Sequence, residues 1–192
     1  MAACTIANVK VLEGKELSRV DDDIIFEVTL DVAQALAEDM VFRCVYIPYG
    51  SGSEKELESI DVGDGPGLRQ GLLKFNFESA PPAKTDLEAK SADSQESGPL
   101  EVAGLYISAL YGGKEFCRVG YYVRYEYDPE LQENPPETVD WDHVHRVLSA
   151  PRVTKFIIPW DSEDMDVTGA GALRSTISRP SENDDGAEEM LQ

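Results

Sequence analysis

No stretch of this 192-residue chain approaches the roughly 20 apolar residues that a helix needs to cross a bilayer, so a membrane-spanning helix is not expected. The start, Met1-Ala2-Ala3-Cys4-Thr5-Ile6, has no charged residue followed by an apolar run, and no secretory signal is expected either. Cysteine is scarce. Cys4, Cys44 and Cys117 are odd in number and far apart, which favours reduced thiols of a cytosolic or nuclear protein over a disulfide framework. Basic residues are few: 17 against 37 acidic ones, a net charge of −20. Residues 161–192 hold nine acids and two bases, a net of −7, so the rest still carries −13 and the acidity is not confined to a tail. Such a field repels nucleic acid and anionic lipid and speeds encounter with a basic partner. It also serves solubility, and by itself names no partner.

Catalytic and metal signatures are missing as well. Gly63-Asp64-Gly65-Pro66-Gly67 lacks both the Lys-Ser/Thr of a phosphate loop and the spacing of a dinucleotide turn, and reads as a β-turn. The histidines, His143 and His145, stand near no cysteine and in a segment that reads as helical, where this spacing separates two side chains around the axis. No triad assembles around them. Asp164-Met165-Asp166-Val167-Thr168-Gly169 imitates a calcium loop, but its twelfth position is Ser175 rather than a bidentate glutamate. The expectation is a protein that is not an enzyme, with no cofactor and no bound metal.

What the chain has is β pattern. Thr5–Leu12, Ile24–Leu30, Met40–Ile47, Leu57–Val62, Leu72–Phe77, Val102–Tyr111, Lys114–Tyr125 and Val153–Trp160 read as strands punctuated by Gly, Pro and Asp. That spacing points to an all-β sandwich rather than alternating β-α units. Short helices are expected at 31–37, at 129–132 and across 138–148. Residues 83–99 read as a long loop and 162–192 as a disordered acidic tail, leaving one domain over 1–161.

The pair of strands around Gly112-Gly113 has two unlike faces. Ala103, Leu105, Ile107, Ala109 and Tyr111, then Cys117, Val119, Tyr121, Val123 and Tyr125, form an apolar set that packs inward. The alternate residues, Val102, Gly104, Tyr106, Ser108 and Leu110, then Phe116, Arg118, Gly120, Tyr122 and Arg124, face out. Arginine beside tyrosine is a composition enriched at binding hot spots.

The block Lys114-Glu115-Phe116-Cys117-Arg118-Val119-Gly120-Tyr121-Tyr122-Val123 resembles the core of the anti-silencing function family of histone chaperones. So do Glu126-Tyr127, Glu130-Leu131-Gln132-Glu133-Asn134-Pro135-Pro136, and Pro151-Arg152-Val153-Thr154-Lys155-Phe156 ahead of Trp160. Asn8–Leu12, Phe26–Thr29, Glu38-Asp39 and Glu58–Gly63 continue the likeness, in order, over residues 1–160.

The resemblance implies an immunoglobulin-like β-sandwich that carries a dimer of histones three and four in the nucleus, as a monomer. It would block pairing of two such dimers into a tetramer, then pass the cargo to downstream assembly chaperones. Histone-three contacts fall on Glu54, Val102, Gly104, Arg118 and Tyr122. The histone-four tail would add as a strand along Pro151, Arg152, Val153 and Thr154, which needs a free sheet edge. Basic motifs of the downstream chaperones would meet Glu38, Asp39, Ser59, Asp61 and Val62, since carboxylates suit guanidinium groups.

The chain departs from the family pattern at several places. Gly104 stands where the family has valine, a loss of about 1.5–3 kcal/mol of contact unless something such as Tyr106 fills the space. Glu54 replaces an aspartate, Arg124 an asparagine, and the Ser149-Ala150 lead-in is one residue short. An alternative reading is a calcium-dependent membrane-binding β-sandwich, suggested by Asp21-Asp22-Asp23 and the Asp61/Asp64 loop. It leaves the Arg-Val-Gly-Tyr-Tyr-Val block unexplained.

Overall fold

The computed structural model describes residues 2–12, 17–50, 52–63, 65–87 and 102–161. The expected tail, the calcium-loop imitation within it, Asp64 and most of the long loop lie outside the described residues. By contacts the chain divides into a unit of residues 1–158 and a segment from 159 onward, and every described strand belongs to the first.

The strands are β1 (Cys4–Val11), β2 (Leu17–Arg19), β3 (Ile24–Val32), β4 (Met40–Ile47), β5 (Lys55–Val62), β6 (Gly71–Ser79), β7 (Ala103–Tyr111), β8 (Lys114–Tyr127), β9 (Val144–Leu148) and β10 (Arg152–Lys155). They form two antiparallel sheets, a three-stranded one in the order β1-β3-β6 and a seven-stranded one in the order β2-β9-β8-β7-β4-β5, with β10 also on β8. The all-β sandwich is therefore as expected. In β3 the period of two is strict: Ile24, Phe26, Val28, Leu30 and Val32 are buried while the residues between them are not. Phe26 meets Tyr121 of the other sheet with ring centroids 5.6 Å apart. Each such buried side chain contributes roughly 1.5–3 kcal/mol. The three cysteines are buried free thiols; burial, with Asp31 nearby, pushes Cys4 up to about 12. They remain protonated at neutral pH.

β7 and β8 are joined by the two-residue turn Gly112-Gly113, with φ of 54° and 73°. A tight hairpin whose twist matches its strands needs positive φ at both positions, which glycine supplies.

The helical expectations fare unevenly. Helix α1 (Lys84–Leu87) lies in the segment read as loop, and α2 (Pro129–Gln132) forms where expected, with proline in its first turn. Residues 31–37 are not helical: β3 runs on to Val32, and Leu36 forms a bridge with Leu68. Residues 138–148 are a 3-10 turn at Trp141–His143 followed by β9. Pairing on both flanks, with β2 and with β8, holds β9 extended. The last strand ends at Lys155 rather than Trp160.

β9 also carries Arg146, 1% exposed. Its Nη2 donates to Ser18 Oγ at 2.9 Å and to the Asp22 carbonyl at 2.7 Å, and Nη1 donates to the Val20 carbonyl at 3.4 Å. One guanidinium thus fastens the 18–22 segment to the large sheet, although burial lowers its pKa. Arg146→Met would keep the volume and strip these acceptors of their donor. A loss of roughly 2–4 kcal/mol is expected, seen as a lower urea midpoint with an unchanged slope. A loss below about 1 kcal/mol would mean that the clamp is dispensable.

Candidate functional site

The outer face of the large sheet is set by register. Across β4, β7 and β8 the outward residues align as Ile47, Gly104 and Tyr122, then Val45, Tyr106 and Gly120, then Arg43, Ser108 and Arg118. β10 extends the same face, with Arg152 opposite Gly120 and Thr154 opposite Arg118. The inward set is buried throughout, as the alternation requires.

One stretch breaks the alternation. The register of β7 and β8 shifts between Ala109 and Leu110, so Ala109 pairs with Cys117 and Leu110 with Glu115, and Phe116 occupies the extra position. This bulge buries Phe116, expected outside, and turns Glu115 outward beside Arg118. The Arg118 guanidinium then makes a two-pronged ion pair with Glu115, Nε to Oε1 and Nη2 to Oε2, both at 2.8 Å. Ser108 Oγ donates to the same carboxylate at 2.7 Å. Burial pushes the Glu115 carboxyl up, but the bonds from Arg118 and Ser108, with the guanidinium's charge, outweigh it and hold it below the ordinary range. Arg118 also lies 4.2 Å above the centre of the Tyr106 ring. Burial, then a hydrogen bond to Glu54, pushes the Tyr106 phenol up to about 12. Glu54, Tyr106, Arg118, Glu115 and Ser108 are therefore one connected set.

Beside it stand the exposed apolar groups, Tyr122 at 49% and Val102 at 44%. The Arg152 guanidinium sits 5.0 Å from the Tyr122 ring centre. Tyr106 borders the space at Gly104 rather than filling it; a depression of about 210 Å³ remains between them.

A match to the family model described as ASF1 like histone chaperone covers residues 1–161. The chain belongs to that family. It is similar to the histone chaperone ASF1 of Saccharomyces cerevisiae, 37% identical over 171 residues, covering 85% of this chain and 56% of the yeast protein. The corresponding protein of Candida glabrata is 37% identical over 169 residues, covering 85% and 52%. Histone chaperone ASF1B of Mus musculus is 36% identical over 169 residues, covering 84% and 77%. The chain thus spans little more than half the length of the two yeast relatives.

Within this family, the five residues expected to meet histone three divide by position. Gly104, Arg118 and Tyr122 share the outer face, Val102 is exposed just before β7, and Glu54 joins through Tyr106. Sequence reasoning missed Glu115, hidden by the bulge, and did not place Arg152 on this face. The segment 151–155 is exposed throughout, and among the described strands β10 pairs with β8 alone. Ser149 prepares it: its N–H donates to the Tyr122 carbonyl and its Oγ accepts from the Tyr122 N–H, both at 2.9 Å. Phe156 N–H donates to the Phe116 carbonyl at 2.9 Å. By the two-residue period of an antiparallel ladder, the backbone groups of Val153 and Lys155 turn to the unpaired edge.

The acidic set lies near the Gly112-Gly113 end of the same sheet. Glu38 N–H donates to Tyr111 Oη at 3.3 Å, and Asp39 Oδ1 accepts from Gly67 N–H at 2.9 Å. A Cβ on Gly63 would sit 1.9 Å from that oxygen, so the glycines at 63 and 67 let the loop close on Asp39. Val41 pairs with Asp61 and Arg43 with Ser59, whose side chains are exposed, whereas Val62 is buried and offers no contact surface.

The histidines differ from expectation. Both reach Asp128: His143, the last residue of the 3-10 turn, through Nδ1 to Oδ2 at 2.9 Å, and His145, in β9, through Nε2 to Oδ1 at 2.5 Å. Among the described residues, no group of three or more His, Cys, Asp or Glu side chains is arranged to hold a metal ion. Asp22 of the 21–23 turn instead accepts the Arg19 N–H at 3.0 Å, and Asp21 pairs with Lys84 at 3.0 Å. Asp128, then Asp140, raises the His143 pKa above its ordinary value. Its charged form therefore favours the folded state below about pH 6.5, and that contribution fades as pH rises through the higher folded midpoint. An NMR titration should place His143 above 6.5, its ordinary value, with Asp128→Asn moving it back down. An unshifted midpoint in that variant would break the assignment.

Proposed function

We propose that this chain is a histone chaperone that binds one dimer of histones three and four, keeps it from pairing into a tetramer, and hands it to downstream chaperones. It does so in the nucleus, during nucleosome assembly and disassembly. The observation that carries this reading is the outer face of the large sheet, found in a chain of that family. There a fixed guanidinium and an exposed tyrosine share the face, a valine is exposed just before β7, and a strand paired on one side only among the described residues continues the face.

In this reading Arg118 meets an acidic group on histone three, held in place beforehand by Glu115 so that little side-chain entropy is lost on binding. Tyr122 and Val102 supply apolar contact. The histone-four tail pairs with the Val153 and Lys155 edge of β10, taking its affinity from main-chain hydrogen bonds. The net charge of −20 draws the basic cargo in. Glu38, Asp39, Asp61 and Ser59, at and near the β5 edge of that sheet, take the basic motif of the receiving chaperone. With β4 and β7 between them, a cargo on β8 and β10 and a recipient at β5 can bind together.

Size exclusion with refolded histone three–four tetramer, at moderate salt, tests the core of this. A complex of one chain with one dimer is expected, and Arg118→Glu should weaken it by at least about tenfold, the scale of a hot-spot loss. A tetramer left intact beside free chain would overturn the reading.

Strand addition has its own test. Val153→Pro removes an edge-facing donor while leaving the ladder to β8. The variant should stay folded, by far-ultraviolet circular dichroism, and bind the dimer several-fold more weakly in a titration. Unchanged affinity would mean that the edge of β10 is not used.

A further inference from the structure

Gly104, second residue of β7, and Gly120, midway along β8, both lie within strands, where glycine weakens a sheet and marks a close approach by something else. Neither has the positive φ that would require glycine. Nor is either crowded. A Cβ at Gly104 would meet Ile47 side-chain atoms at 3.4–3.7 Å, ordinary contact, and one at Gly120 would have the Arg152 carbonyl at 3.9 Å as its nearest neighbour. The fold would accept alanine at both positions.

The two glycines are neighbours on the same face, and each is paired across the strands with a tyrosine, Gly104 with Tyr122 and Gly120 with Tyr106. The result is a floor without side chains between two aromatic walls, the depression of about 210 Å³. Its rim is charged unequally. Glu115 neutralises Arg118, whereas Arg152 stacks on Tyr122 and has no carboxylate partner among the described residues. In a chain of net charge −20, a free guanidinium beside an apolar depression suits a partner that offers an apolar group next to a carboxylate.

We propose that Gly104 and Gly120 form a size-selecting pocket that receives one bulky apolar side chain of the histone cargo, with a carboxylate of the same partner meeting Arg152. This rests on the histone-binding reading and deepens it: position 104 sets which side chain the face accepts. A glycine that merely lost a contact would behave in the opposite way when the space is filled.

The two accounts differ in sign, so a titration decides between them. Wild type, Gly104→Ala, Gly104→Val and Gly120→Ala are titrated with histone three–four dimer from the same source, with thermal melts run in parallel. The pocket account expects Gly104→Val to bind about tenfold or more weakly, the two alanine variants to bind several-fold more weakly, and melting temperatures to hold or rise. Valine or alanine variants that bind as well as wild type, or better, while remaining folded would overturn it. Wild-type chain that fails to bind the dimer would overturn the histone reading itself, a different failure.

Discussion

The length of β8 is the constraint on which the rest of this structure depends. Lys114–Tyr127 is long enough to hold two successive partners along one flank, β10 on its first half and β9 on its second, with β7 running along the other. β9 is thereby enclosed between β8 and β2, so its segment is extended and its Arg146 can fasten the 18–22 stretch. Among the described residues β10 is enclosed on one side only, so the large sheet ends there in an accessible backbone edge. Natural sheets seldom leave such an edge bare without a use or a guard. Arg152 and Lys155 give it positive charge, which discourages pairing between two copies of this edge.

Rigidity on the outer face has the same origin. The bulge in β8 brings Glu115 level with Arg118, and the carboxylate takes three hydrogen bonds from Arg118 and Ser108. A charge fixed this way differs from a loose surface arginine. Its direction is set before a partner arrives, although part of its field is already cancelled. Arg152 is the complement: free of a carboxylate among the described residues, and steadied by the face of Tyr122. One arginine supplies shape and the other supplies uncancelled charge.

Much of this was legible in the residues, and what escaped did so for physical reasons. Alternation in β7 and β8 identified the buried face because these strands have one packed side and a period of two. It misplaced Phe116 and Glu115 because a bulge adds a residue without any local sequence mark. Residues 138–148 read as helical because Val139, Val144, Val147 and Leu148 are spaced nearly well enough for it. Long-range pairing with β8 and β2 then overrode that local preference, as strand formation commonly does. The same override put His145 in β9, where it reaches Asp128. The family blocks pointed to Arg118 and Tyr122, but they could not show that Arg152 shares their face, since that depends on its register with Gly120.

Register also decides how the two proposed histone surfaces relate. Treated as separate sites, the face around Arg118 and the edge at Val153 would each need to supply affinity alone. They are instead two aspects of one element: Arg152 and Thr154 project onto the face while the backbone between them turns to the edge. A partner held at the edge is therefore already aligned over the face, and the second contact forms at high effective concentration rather than by a new encounter. For two modest contacts this matters more than the strength of either. On the histone reading, it also accounts for glycine at 104: alignment by the edge strand would present the cargo to the depression, and the floor would then select what enters.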